Sequence, residues 1–103
     1  MVFRLDRDGY LIDRSDWSET VAIELAAAEG IELSAAHWEL IVLVRDFYSQ
    51  FEVSPAMRPL IKRVRERLGA EKASSIYLLR LFPGSPAKLI AKIAGLPRPT
   101  NCL

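Results

Sequence analysis

One cysteine and one histidine are all that the chain offers of the two residue types on which most thiol, imidazole and transition-metal chemistry is built. A single thiol closes no internal disulfide, so the fold must stand on packing, as in a reducing compartment. A structural zinc site typically takes four Cys or His ligands and a catalytic one about three, so no metal is expected. Glycine is scarce: Gly9, Gly30, Gly69, Gly84 and Gly95 each fall where a turn or helix end wants one, which leaves none for a phosphate-binding loop, and no cofactor is expected. Long apolar runs are missing, since the longest unbroken aliphatic stretch, residues 40–44, is far shorter than a bilayer span. The first residues carry Arg4, Asp6, Arg7 and Asp8 where a secretory signal needs an apolar stretch, so the expectation is a soluble cytoplasmic protein with no membrane partner. Acidic residues, finally, are absent after Glu71.

What is present fits one compact unit: 103 residues, half of them apolar, are enough for a single core. The net charge of +1 hides an asymmetry, with four Lys/Arg against ten Asp/Glu in residues 1–51 and ten against three in residues 52–103. A basic second half points to an acidic or nucleic-acid partner, or simply to a solvated helix face.

Along the chain, Val2-Phe3-Arg4-Leu5 and Tyr10-Leu11-Ile12 flank Asp8-Gly9 and predict a β-hairpin, which must lie on helices because a two-stranded ribbon is marginal alone. A first helix is expected over residues 16–29, with Trp17, Val21, Leu25 and Ala28 on one stripe and Gly30 as its stop. Ser34 caps a second, over residues 34–51, whose apolar residues cover most of its circumference and mark it as the central spine. Ser54-Pro55 reads as the start of a third, ended by Gly69, with Arg58, Lys62, Arg63, Arg65 and Arg67 on its outer face. A short fourth covers residues 75–82 with Ile76, Leu79 and Phe82 inward, and Ser85-Pro86 opens a fifth that Gly95 closes. The fold class is thus α+β and mostly helical: an N-terminal β-hairpin or meander packed on about five short helices. Residues 1–95 form the globular domain, and residues 96–103 a flexible C-terminal arm that Pro97 and Pro99 keep extended. At roughly 3.1 Å per residue such an arm carries Cys102 about 25 Å from the helix end.

Hydrolysis by a cysteine needs a base, yet His37 sits in the first turn of the second helix, where a helix-start or core role is the simpler reading. Asp6, Asp8, Asp13 and Asp16 are accounted for by turns and caps, and Asp46 beside Arg45 reads as local ion pairing. Sulfur passes between proteins when a thiolate with an open line of approach attacks, and a cysteine one residue from the end of an arm has that access. Its ionisation is pulled two ways: the terminal carboxylate opposes a second negative charge, while Lys92 and Arg98 favour it. The alternative is that Cys102 is a small residue in a frayed end.

The arm and the helices together resemble the TusE/DsrC family of sulfur-relay proteins. The likeness runs through Gly9-Tyr10-Leu11, Trp17, Glu29-Gly30-Ile31, His37-Trp38-Glu39, Arg45-Asp46-Phe47-Tyr48, Ser54-Pro55-Ala56-Met57-Arg58, Leu81-Phe82-Pro83, Pro86-Ala87-Lys88, residues 92–99 and the ending Pro99-Thr100-Asn101-Cys102-Leu103. The resemblance implies that Cys102 is the active cysteine. Members of the DsrC type carry a second cysteine where this chain has Ala91, so their intramolecular disulfide is closed to it and single-cysteine persulfide transfer remains. In the TusE-like branch the implied partners are a sulfur-donor complex resembling TusBCD and a tRNA 2-thiouridylase resembling MnmA, together with tRNA, in a sulfurtransferase relay rather than a stand-alone enzyme. Arg58, Lys62, Lys88, Lys92 and Arg98 are the candidate partner-binding residues. A DsrC-like partner of a sulfite reductase and a helix-turn-helix nucleic-acid-binding regulator, the latter from the basic third helix, are the competing readings.

Overall fold

The computed structural model describes residues 3–100. Five α-helices follow one another: α1 (Glu19–Ala28), α2 (Ala35–Phe51), α3 (Met57–Leu68), α4 (Ser75–Leu81) and α5 (Pro86–Ile93), with short 3-10 turns at Arg14–Asp16 and Ala70–Lys72. None of these helices is long and apolar enough to cross a membrane.

The expected N-terminal β-hairpin or meander is not formed, and the α+β assignment gives way to an all-helical one: among the described residues there is no strand or sheet. Residues 4–12 do reverse direction, but only one antiparallel bridge, Leu5 to Leu11, joins the two limbs. The reason lies in Asp6. Two backbone bonds cross between the limbs, from the Asp6 amide to the Tyr10 carbonyl (2.8 Å) and from the Ile12 amide to the Arg4 carbonyl (3.1 Å), but the Asp6 carboxylate takes the amides of Asp8 (2.9 Å) and Tyr10 (3.0 Å) that a longer ladder would use. Those amide donors hold the Asp6 carboxyl below its ordinary range, the Tyr10 amide foremost. Beyond Ile12 the chain turns away at once, because Asp13 caps the Arg14–Asp16 turn through the Ser15 amide at 2.9 Å.

Local chemistry explains the helix starts and stops. Ser18 caps α1 by accepting from the Val21 amide, and the helix ends where Ile31 and Gly30 donate back to Ala26 and Ala27 with Gly30 at φ +75°. Trp17 thereby falls outside the helix predicted to contain it, and the buried stripe is Val21, Ala22, Leu25 and Ala26, leaving Ala28 exposed. At α2 the Ser34 amide donates to His37 Nδ1 (3.0 Å) in a capping box, and His37 Nε2 lies 2.8 Å from the Leu81 carbonyl, so the ring ties the start of α2 to the end of α4. Ser54, expected to cap α3, is buried elsewhere, and Ala56 precedes the helix instead. Ser74 caps α4, on which Leu78 and the following Phe82 are buried while Ile76 and Leu79, expected inward, face solvent.

The hub of the core is α5 rather than α2. It packs against α1, α2, α3 and α4, and Ala87, Ile90, Ala91, Ile93, Ala94 and Leu96 are all buried. The spine expected at α2 is one-sided: Leu40, Ile41 and Val44 are buried, but Val42 is 63% exposed. A helix as short as α5 reaches four others because small residues, Ala87, Ala91, Ala94 and Gly95, let them approach closely.

Gly95 is the tightest of these approaches. It has φ +74°, and a Cβ added there would overlap the Trp17 indole. Gly30 has the same φ class with nothing within 4 Å of such a Cβ. Gly30→Ala is therefore expected to cost only the left-handed strain, about 1–2 kcal/mol, whereas Gly95→Ala adds overpacking worth about 1–3 kcal/mol more. Urea denaturation midpoints of the two variants read the difference.

Candidate functional site

The last turn of any α-helix leaves carbonyl oxygens with no partner inside the helix. At the end of α5 these are met by side chains from far along the sequence. Trp17 Nε1 donates to the Ile93 carbonyl at 2.9 Å, and Arg45 donates to the Ala94 carbonyl at 2.7 Å. The Arg45 guanidinium also lies over the Trp17 ring, 3.7 Å from its centroid, so the two side chains form one stacked clamp. Partial burial pushes the Arg45 pKa down from its ordinary value. Gly95 then turns the backbone, and the Leu96 amide closes on the Ala91 carbonyl at 2.9 Å.

The next residues run along the body. Leu96 and Pro99 are buried, and Ser54 Oγ donates to the Pro97 carbonyl at 2.5 Å. Arg98 forms an ion pair with Asp8 and lies over the Tyr10 ring, 5.6 Å from its centroid. The Asp8 carboxylate raises the Arg98 pKa above its ordinary value. Lys92 reaches the other side of this corner: its ammonium is 3.1 Å from Glu29 and 5.4 Å from the Tyr10 ring centroid. Tyr10 itself is buried and donates its hydroxyl to the Lys88 carbonyl at 3.2 Å.

Three of the residues expected to bind a partner, Lys88, Lys92 and Arg98, thus line one groove with Asp8 and Tyr10. Arg58 and Lys62 do not join it; Lys62 lines a separate groove with Phe47, Phe51 and Arg63, and Arg58 is exposed near the start of α3. Cys102 lies outside the described residues. Ala91, where the resemblance implies a second cysteine in DsrC-type members, is buried in α5. Among the described residues no group of three His, Cys, Asp or Glu side chains could hold a metal ion.

Sequence reasoning missed the clamp. Arg45 was expected to pair with Asp46, but Asp46 faces Arg67 (3.5 Å) and Gln50 (3.1 Å) instead. The signal was available in the spacing: Arg45 sits four residues after Ile41 and beside Val44, on the buried face of α2, where an arginine must find an acceptor. For Trp17 and Ser54 no such signal exists, since their partners are carbonyls at the far end of the chain.

Comparison with known proteins agrees with this arrangement. A family model described as "DsrC like protein" matches residues 1–103. The protein named sulfurtransferase TusE in Salmonella typhimurium is 53% identical over 95% of this chain and 90% of its own, and that of Escherichia coli K12 is 52% identical over the same shares. Among solved structures, DsrC of Allochromatium vinosum superposes with a TM-score of 0.89 at 42% identity, covering 98% of this chain and 90% of that one. The oxidized gamma-subunit of the dissimilatory sulfite reductase (DsrC) from Archaeoglobus fulgidus gives 0.85 at 39%, covering 98% and 92%.

The clamp is expected to act as a unit. Trp17→Phe, which keeps a ring and removes the donor, costs about 1 kcal/mol, and Arg45→Met about 1–3 kcal/mol. The double variant loses less than the sum, with a coupling of about 0.5–3 kcal/mol in a denaturation cycle.

Proposed function

The chain belongs to the DsrC-like family, and from that premise we propose that it is a sulfur carrier: Cys102 accepts the outer sulfur of a donor's persulfide and passes it to an acceptor in tRNA 2-thiouridine synthesis. The observation that carries this reading is the identity of over half of the aligned residues with sulfurtransferases of the TusE type along nearly the full chain. The donor is of the TusBCD type and the acceptor of the MnmA type, with tRNA as the final recipient.

The chemistry needs no cofactor and no oxidant. The Cys102 thiolate attacks the terminal sulfur of a donor Cys–S–SH, the donor S–S bond breaks, and the electron pair and charge leave on the donor thiolate. Cys102–S–SH results, and the same exchange in reverse roles unloads it. Sulfur moves at one oxidation level throughout. With one thiol in 103 residues and a buried alanine at position 91, the carrier has no internal thiol to attack its own persulfide, so the sulfur waits for a partner. That feature separates this reading from a two-cysteine partner of sulfite reductase, which needs a second thiol for its disulfide or trisulfide.

In this reading the globular domain, residues 1–95, is the platform, and residues 96–103 are the arm that presents the sulfur. The ordered contacts of residues 96–100 support the view that the platform sets the arm's point and direction of departure. Lys88, Lys92 and Arg98 line the groove beside that departure and bear the charge that favours thiolate and persulfide anion when a partner holds the arm nearby.

Incubation with a persulfide-loaded TusBCD-type complex is expected to add one sulfur mass to the peptide containing Cys102. Cys102→Ser is expected to take up none and to abolish thiolation of tRNA in cells that depend on this chain. A sulfur adduct absent from wild type with every competent donor overturns the proposal.

A further inference from the structure

Two large aliphatic side chains on α4 face water: Ile76 is 63% exposed and Leu79 41%. Three residues apart on one helix, they make a single stripe. Leu79 continues it into a groove whose walls are Met57 at the start of α3 and Gly84, Ser85 and Pro86 at the start of α5. Lys88 lies at the groove's edge. Ser85 and Lys88 also line the neighbouring groove of Asp8, Tyr10, Lys92 and Arg98, so the apolar groove adjoins a polar one that the departing segment lines.

The charged residues next to Met57 and Leu79 in the sequence, and the one that lines the groove, are basic. Arg80 is exposed on α4 next to Leu79, Arg58 is exposed next to Met57, and Lys88 is exposed on α5; none of the three has an ion-pair partner among the described residues. No acidic residue follows Glu71 in the sequence, so α4, the Gly84 turn and α5 contribute no negative charge to this face. An apolar centre with an uncompensated basic rim is complementary to an apolar projection ringed by Asp and Glu on another protein.

We propose that the Ile76–Leu79 stripe and the Met57–Pro86 groove are the docking surface for the persulfide donor, which presents an acid-ringed apolar surface to it. The inference rests on the sulfur-carrier reading and adds the place of contact. Docking here sets the donor next to the groove that Ser85 and Lys88 share with Arg98, four residues before Cys102 in the sequence. Arg58, Arg80 and Lys88 steer the encounter, and Ile76 and Leu79 hold it.

The test separates contact from chemistry. Wild type and the double variant Ile76→Asp/Leu79→Asp are loaded at Cys102 in two ways, with inorganic polysulfide and with the persulfide-loaded TusBCD-type complex, and loading is followed by mass. Polysulfide loading is expected to be unchanged. Loading from the protein donor is expected to slow by about tenfold or more, the effect of losing a central anchor. Arg80→Glu, which leaves the apolar stripe intact, is expected to lower the association rate and to flatten its dependence on ionic strength. If wild type takes sulfur from neither source, the carrier reading fails. If it takes sulfur from both and the double variant matches it with the protein donor, the docking surface is wrong. Loading retained by the double variant alongside lost binding of tRNA, or alongside a lost concentration-dependent dimer, assigns the stripe to RNA or to a second copy and likewise overturns the proposal.

Discussion

Everything else in the molecule depends on how the C-terminal end of α5 is finished. A helix end that is central to a core cannot leave its carbonyls to water, and each unpaired one costs about 1–3 kcal/mol when buried. Here Trp17 and Arg45 supply the donors, and their stacking on one another fixes both. The requirement propagates outward: Gly95 must lack a side chain because the Trp17 indole lies against it, and the positive φ that glycine permits sends the backbone toward Ser54, Asp8 and Tyr10. One capping problem therefore determines both the closure of the core and the direction in which residues 96–100 leave it.

This arrangement relates stability to function in a specific way. Carrier chemistry asks little of the scaffold at the reacting sulfur, since a thiolate with open access suffices. It asks more about where the sulfur can be carried. A segment whose first residues are held against the body samples less volume than a free one, which on the carrier reading raises the effective concentration of a thiol beyond it. The pins differ in strength. Ser54 to Pro97 is a short bond with the serine buried, while Arg98 to Asp8 is an ion pair between half-exposed groups, of the kind worth about 0–1 kcal/mol and weakened by salt.

Much of the fold was legible in the sequence because its punctuation is local. Gly30, Ser34, Gly69, Ser85-Pro86 and Gly95 mark helix boundaries by chemistry that acts over a few residues, and five helices follow from them. Errors arose where a local signal had a distant competitor. Ser54-Pro55 has the form of a helix start, but the serine hydroxyl is taken by Pro97, 43 residues away. Asp8-Gly9 has the form of a hairpin turn, and the chain does turn there, yet Asp6 takes the amides that a partner strand would have needed. Helical spacing placed Ile76 and Leu79 inward because periodicity finds an apolar face without telling what covers it; on α4 the core takes Leu78 and Phe82. Of the candidate site, Lys88, Lys92 and Arg98 were anticipated and do converge, whereas Trp17 and Arg45 became visible only once α5 was in place.

The alanine at position 91 bears on packing as well as on the lack of a second thiol. Position 91 lies on the buried face of the hub helix, and its carbonyl receives the Leu96 amide that begins the departing segment. A side chain there faces the core beneath the arm's root, not the solvent. An alanine fills this space with a methyl group compatible with close helix packing. On the proposed carrier reading, the absence of a second thiol and the contacts of residues 97 and 98 with the body serve one end, a terminal sulfur kept for exchange between proteins.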